Sequence, residues 1–176
     1  MIEVENKNYI EVTEEWLNKE NFKKGRVINR NYYVDKEGNK YKVDGKNVVF
    51  DPSEDEIETA FFISETFGGN IYLNPKVNVP INVESCDYLW NNQFWDKKNI
   101  GKEATSTTRA VDNAVKKHKK QTDYIILDIT NSIIEEQNLI TQTEKIFITK
   151  GREWVKGIII IHNKKVVKIY MKKERG

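Results

Sequence analysis

The hydrophobic positions of the chain follow two spacings, one typical of helices and the other of strands. Apolar residues three and four apart predict a helix over residues 53–67, where Ser53 and Glu56 form a capping box and Gly68 ends the helix. The same spacing, less regular, predicts helices over residues 13–22, 105–120 and 134–148.

Between the helices, the chain shows the two-residue alternation and the short apolar runs of strands. Strands are predicted within 26–51 (as a β-hairpin) and over 70–73, 87–90, 94–100, 124–129, 157–162 and 165–171. The dipeptides Asn91-Asn92 and Asn163-Lys164 predict tight turns between neighbouring strands. Residues 124–129 are too continuously apolar for a half-exposed strand, which favours the centre of a sheet.

These elements predict an α+β fold, with a mostly antiparallel central sheet packed against helices. We expect residues 1–51 to form an N-terminal appendage of a helix and a β-hairpin, and residues 52–176 to form the main domain. A chain of 176 residues is within the range of roughly 100–200 residues that one domain usually spans.

Composition favours a folded protein in a reducing compartment. The chain is 38% hydrophobic and 32% charged, and it has one cysteine, Cys86, so no intramolecular disulfide can form. No apolar run approaches the roughly 20 residues that a membrane span needs, and the N-terminus lacks the features of a signal peptide. We therefore expect a location in the cytoplasm of a bacterial host cell, without a membrane partner.

The net charge of +2 conceals an uneven distribution of charge. Residues 1–22 and 51–68 are acidic, whereas residues 23–46 have eight bases against three acids. The segment 145–176 has ten Lys or Arg residues against two Glu residues. Basic stretches of this kind can attract a polyanion such as RNA, although they can also simply keep exposed faces solvated.

Three nearby stretches contain the groups needed to hold and cut a phosphodiester. Asp87 begins one predicted strand, Asp96 and Lys98 lie two residues apart on the next, and Gln121 closes the basic run 116–121. Alternation along a strand puts Asp96 and Lys98 on the same face. The candidate catalytic residues are therefore Asp87, Asp96, Lys98 and Gln121.

Two kinds of chemistry fit these residues. RNA can be cleaved without a metal if a base, an acid and cations are positioned around the phosphate, which is the preferred interpretation and needs no cofactor. Alternatively, Asp87 and Asp96 would hold Mg²⁺, together with an upstream helical Glu58 or Glu65. The residue types do not decide between the two.

Contacts to RNA or to a protein partner are predicted in two regions. The hairpin offers cations beside tyrosines, and the helix over 105–120 offers hydroxyls and a guanidinium at its start and lysines at its end. The candidate binding residues are Arg26, Arg30, Tyr33, Lys40, Lys42, Thr107, Arg109, Lys116, Lys119 and Lys120.

The order of several short motifs resembles the C-terminal tRNA-cleaving domain of contact-dependent growth inhibition toxins. The motifs lie at 43–51, 67–71, 75–80, 87–89, 95–98, 119–121 and 126–129, and the likeness spans about residues 43–172. It implies a barnase/EndoU/colicin/RelE-like fold and metal-independent ribonuclease activity. By this resemblance, Asp96 and Lys98 match the family's Asp-x-Lys, and Gln121 matches its Lys-Gln helix end.

The chain, taken as freestanding, is also similar to small proteins of phages or mobile elements that block type II CRISPR immunity. The resemblance implies an anti-CRISPR endoribonuclease-fold protein that causes truncation of the guide RNA, with that RNA and the type II effector nuclease as partners. One alternative is a metal-independent tRNA endonuclease toxin restrained by an immunity protein. Another is a non-catalytic inhibitor that binds RNA or a ribonucleoprotein.

Overall fold

A computed structural model describes residues 7–19, 24–116 and 122–173. The helices in these segments are α1 (Thr13–Leu17), α2 (Glu54–Phe67), α3 (Thr107–Ala114) and α4 (Glu136–Ile146). The strands are β1 (Tyr9–Glu11), β2 (Val27–Asn29), β3 (Tyr32–Val34), β4 (Lys40–Lys42), β5 (Val48–Val49), β6 (Ile71–Leu73), β7 (Lys76–Val77), β8 (Tyr88–Trp90), β9 (Gln93–Asn99), β10 (Tyr124–Asp128), β11 (Gly157–His162) and β12 (Lys165–Lys172). No helix in the described segments is long and apolar enough to cross a membrane.

Eight strands form one sheet in the order β1-β12-β11-β10-β9-β8-β6-β2. Four of its pairings are antiparallel, and the pairings β2–β6, β9–β10 and β10–β11 are parallel. The predicted α+β class is confirmed, with a mixed sheet. Strand β10 lies between β9 and β11, as its continuous apolar run predicts, because its residues are covered on both faces.

Helices cover both faces of the sheet. On one face, Ile125 and Leu127 pack with α3 and α4, and on the other face, Ile126 packs with α2. Trp95 of β9 has no exposed surface, and its ring centroid lies 4.8 Å from that of Tyr124. The central strands are thus held rigidly between two hydrophobic clusters.

Two tight turns fix the register of neighbouring strands. Asn91 and Asn92 have φ angles of 52° and 59°, and Asn163 and Lys164 have φ angles of 51° and 57°. Two consecutive residues with positive φ form the turn whose twist matches a β-hairpin. Both predicted turns are confirmed.

The N-terminal part of the chain contributes both edge strands of the large sheet. Strand β1 pairs with β12, and β2 pairs with β6, whereas β3 and β4 form a separate hairpin. The division at residues 51 and 52 stays a prediction, but the two parts are joined through this sheet. Helix α1 covers only the first part of the predicted range 13–22, and residues 20–23 lie outside the described residues.

A close crossing of two backbone segments requires glycine at position 25. A Cβ atom on Gly25 would lie 1.6 Å from the carbonyl oxygen of Gly69, a backbone atom that cannot move independently. We expect Gly25→Ala to lower the free energy of unfolding by about 3 kcal/mol, measured by urea denaturation, because overpacking forces the backbone to shift.

Gly157→Ala is a matched control for this substitution. A Cβ on Gly157 would lie 2.6 Å from the sulfur of Met171 and 2.9 Å from a ring carbon of Tyr124, and both atoms belong to side chains, which can shift more easily than a backbone carbonyl. We therefore expect a clearly smaller loss of stability at Gly157, and equal losses at the two positions would contradict the crossing as the cause.

Candidate active site at the ends of the central strands

The parallel strands β9, β10 and β11 have their carboxyl ends on the same side of the molecule, beside the first turns of α2. A cavity of about 440 Å³ lies there, lined by Asn99 and Asp128 at the strand ends and by Asp55 and Glu58 of α2. We call this cavity the acidic pocket. Crevices outside the carboxyl ends of parallel strands are frequent ligand sites, because loops and side chains converge there.

A buried lysine pairs with two of the carboxylates that line the acidic pocket. The side chain of Lys97 is only 2% exposed, and its Nζ forms ion pairs with Asp55 and with Asp128, the latter at 3.3 Å. A buried ammonium is tolerated only where carboxylates compensate for its lost hydration. The two carboxylates and the lysine therefore form a single electrostatic unit.

Hydrogen bonds from other elements hold the two carboxylates in place. The Asn99 amide donates to Asp55 Oδ2 at 3.0 Å, and the Thr130 N–H donates to Asp128 Oδ1 at 2.9 Å. The Asn163 N–H in turn donates to the Thr130 hydroxyl oxygen at 2.9 Å. The positions of the carboxylates are thus set by hydrogen bonds from three parts of the fold: β9, the loop after β10 and the turn between β11 and β12.

The ionisation of Asp55 makes the contribution of this cluster to folding stability depend on pH. Burial acts most strongly on the pKa of Asp55 and raises it, but hydrogen bonds from Lys97 and Asn99 and the Lys97 charge together hold that pKa below its usual value. A carboxyl group with a lower pKa in the folded state stabilises the fold above its unfolded pKa of about 3.9. This stabilisation is lost as the pH falls through the lower folded pKa.

We therefore expect Asp55→Asn to be less stable than the wild type at pH 7, by up to about 1 kcal/mol because the side chain is half-exposed. The gap should close as the pH falls below about 4. Urea denaturation of both proteins across pH 2–7 measures it, and a gap independent of pH would contradict the ionic role of Asp55.

A second cavity, of about 530 Å³, contains Lys98 and Arg109. Hydroxyls of Thr105 and Ser106 and the carboxylate of Glu103 also line it. We call this cavity the basic groove. It lies at the start of α3, whose first turn has no acidic residue, so no carboxylate of the helix itself offsets the positive end of the helix dipole. Cations, hydroxyls and a helix start together suit a phosphate group.

The acidic pocket and the basic groove meet at the end of β9. Asn99 lines both cavities, and the alternation of β9 directs Lys97 and Lys98 to opposite faces of the sheet. A phosphate in the basic groove would therefore be separated by the end of β9 from a pocket with three carboxylates, one of which, Asp128, is fixed at a strand end. This arrangement can bind an anion and supply groups for proton transfer.

The predicted pair Asp87 and Asp96 lies deeper in the fold. Asp96 has no exposed surface, and its Oδ1 accepts a hydrogen bond from the Asp87 N–H at 2.9 Å. Asp87 Oδ2 accepts one from the Lys97 N–H at 2.8 Å. These reciprocal bonds join the start of β8 to β9. Asp96 shares a face of β9 with Lys98, but in this structure a substrate cannot touch it, and its catalytic role stays a prediction.

The magnesium alternative requires carboxylate oxygens that converge on an open space. One oxygen of Asp87 and one of Asp96 already accept backbone N–H groups, and Asp96 is fully buried. The segments 7–19, 24–116 and 122–173 contain no group of three His, Cys, Asp or Glu side chains that could hold a metal ion. The donor set of these two residues does not fit a magnesium site.

The predicted binding residues differ in their access to solvent. Tyr33 has no exposed surface, because its ring packs 6.0 Å from that of Phe94, so in this structure it cannot contact RNA. Arg30 lies over the rings of Tyr32 and Tyr72, at 4.6 and 5.1 Å. Arg26, Lys40, Lys42, Arg109 and Lys116 are exposed, and Thr107 is partly exposed. Lys119, Lys120 and Gln121 lie outside the described residues.

Sequence reasoning missed Lys97, Asp55 and Asp128 as members of the site. The available signals were a lysine between Asp96 and Lys98 in a predicted strand and an aspartate that ends the apolar run of β10. Asp55 had no such signal, because an acidic residue in the first turn of a helix is expected on electrostatic grounds alone.

Comparison with known proteins gives one family match. The family described as contact-dependent growth inhibition CdiA C-terminal domain matches residues 84–166. Among solved structures, the chain is similar to one chain of the "CdiA-CT/CdiI toxin and immunity complex from Burkholderia pseudomallei", with 15% identity and a TM-score of 0.46 over 85% of this chain and 100% of that one. No curated protein matches the chain. The matched segment contains Lys97, Lys98, Arg109 and Asp128.

Proposed function

We propose that this protein is a toxin-type nuclease domain, related to those of contact-dependent growth inhibition, and that it cleaves tRNA. The observation that carries the proposal is the meeting of the basic groove and the acidic pocket at the end of β9. The family match over residues 84–166 supports it, since that segment contains Lys97, Lys98, Arg109 and Asp128.

The two cavities divide the work of phosphodiester cleavage. Lys98 and Arg109 hold the phosphate and offset the charge that develops on its oxygens during the reaction. Asp55 and Asp128 supply carboxylates for proton transfer, and the ion pairs with Lys97 hold both of them in place. A folded RNA presents both a phosphate backbone and exposed 2′-hydroxyls to such a site.

The anti-CRISPR interpretation has no support from the comparisons, and the family match favours the tRNA endonuclease alternative. Guide RNA and a type II effector nuclease are therefore not part of the proposal. An immunity protein that blocks the site stays a prediction, and so does a non-catalytic RNA-binding role.

The test is incubation of the purified protein with total tRNA and, separately, with guide RNA in the presence and absence of its effector nuclease. Each reaction is run in magnesium and in EDTA and analysed on denaturing gels. We expect discrete tRNA fragments, and cleavage in EDTA would show that no divalent metal is needed. Truncation of guide RNA alone would overturn the proposal, as would intact RNA under every condition.

A further inference from the structure

A third cavity lies at the amino end of the central strand β10, whereas the candidate active site lies at its carboxyl end. It has a volume of about 980 Å³, and four lysines line it: Lys7, Lys156, Lys172 and Lys173. We call it the lysine groove. Strand β10 joins the two regions, since Tyr124 at its start lines the lysine groove and Asp128 at its end lines the acidic pocket.

The charge of the lysine groove is strongly positive. Among the described residues that line it, Glu153 is the single carboxylate, and both of its oxygens accept the Gly151 N–H, at 2.9 and 3.1 Å, so it is held in its own turn. Beside the groove, Lys156 lies 3.6 Å from Asp123, but that carboxylate also binds Lys36 at 2.9 Å. The acids are thus outnumbered around the groove as well as inside it.

The floor of the lysine groove is apolar and closely packed, so its shape is preformed. Tyr124 and Phe147 are almost fully buried, and Tyr124 stacks on Trp95. Lys172 is anchored at the rim, where its Nζ donates to the Glu153 carbonyl oxygen at 2.6 Å. Because the rings are buried, the groove presents ammonium groups rather than stacking surfaces, which suits phosphates and not bases.

We propose that the lysine groove is a second binding site for the phosphate backbone of a folded RNA. The cleavage of that RNA takes place at the carboxyl ends of the central strands. The inference rests on the proposed nuclease function for the nature of the RNA. Four residue steps along β10, at about 3.3 Å each, place Tyr124 and Asp128 about 13 Å apart, so an RNA must extend beyond a single internucleotide step to contact both regions. The groove therefore recognises RNA through its phosphates and not through its sequence.

The test compares Lys156→Gln/Lys172→Gln/Lys173→Gln with a control of equal charge change, Lys46→Gln/Lys145→Gln/Lys165→Gln. The control lysines are exposed and line none of the three cavities. Binding of fluorescently labelled total tRNA is measured by anisotropy from 50 to 300 mM salt, with melting curves to establish that all proteins are folded. Poly-L-glutamate is the second probe.

We expect the groove variant to bind tRNA at least roughly ten-fold more weakly at low salt. The fall of log K with log salt should become less steep by about 2–3, since three phosphate contacts are lost. Where tRNA is cleaved, KM should rise by the same factor with kcat unchanged, which a structural defect would not produce. Equal affinities and slopes in the groove and control variants would overturn the inference. Binding of poly-L-glutamate but not of tRNA to the wild-type groove would also overturn it, in favour of an acidic protein.

Failure of the proposed function is distinguishable from failure of this inference. Groove-dependent tRNA binding without cleavage would refute the nuclease proposal and retain the RNA site. Cleavage with equal kinetics in both triple variants would retain the nuclease and refute the groove.

Discussion

Lys97→Met is expected to lower the free energy of unfolding by about 3 kcal/mol at pH 7. The substitution removes the ammonium between Asp55 and Asp128 and leaves two carboxylates facing each other. Removal of one partner from a buried ion pair costs roughly 3–5 kcal/mol, and the lower end applies because Asp55 is 53% exposed. Urea denaturation with circular dichroism measures the loss.

The neighbouring Lys98→Met is the matched control, since the same change is made one residue away on the opposite face of β9. Lys98 has no ion pair among those of the described residues, so we expect its loss of stability to stay below about 1 kcal/mol. Equal losses at the two positions would show that the carboxylates do not depend on Lys97. A partial rescue of Lys97→Met by Asp55→Asn would identify charge repulsion as the cause.

Lys98→Met is expected to reduce tRNA cleavage about 100-fold while the fold is retained. Lys98 and Arg109 line the basic groove and offset the charge that builds up on the phosphate, and loss of one such group typically costs about 100-fold to 1000-fold in rate. Arg109→Gln should act similarly. Single-turnover cleavage of tRNA, with melting curves of each variant, measures the effect.

Lys145→Met provides the control for this experiment, because Lys145 is exposed on α4 and lines none of the three cavities. Its cleavage rate should equal that of the wild type. Wild-type rates in both Lys98→Met and Arg109→Gln would remove the basic groove from the proposed active site. A loss of activity in all three variants would point to a general electrostatic effect.

Asp96 shows how far strand alternation can predict a site. The pattern places Asp96 and Lys98 on one face of β9, and the structure has them there. Alternation does not say how deeply each side chain lies, however, and Asp96 is fully buried whereas Lys98 reaches a groove. The depth depends on what packs against the strand, and that comes from residues far away in the sequence.

The sequence by itself determined the α+β class, the capped helix α2, the two asparagine-containing turns and the central place of β10. Each of these depends on local spacing, capping or backbone conformation, which neighbouring residues decide. Tertiary structure alone decided that Lys97 joins Asp55 and Asp128, which lie 42 and 31 residues away from it in the chain. It also decided that the basic groove and the acidic pocket share Asn99. Only the parallel pairing of β9, β10 and β11 brings the carboxyl ends of these strands to the same side of the molecule.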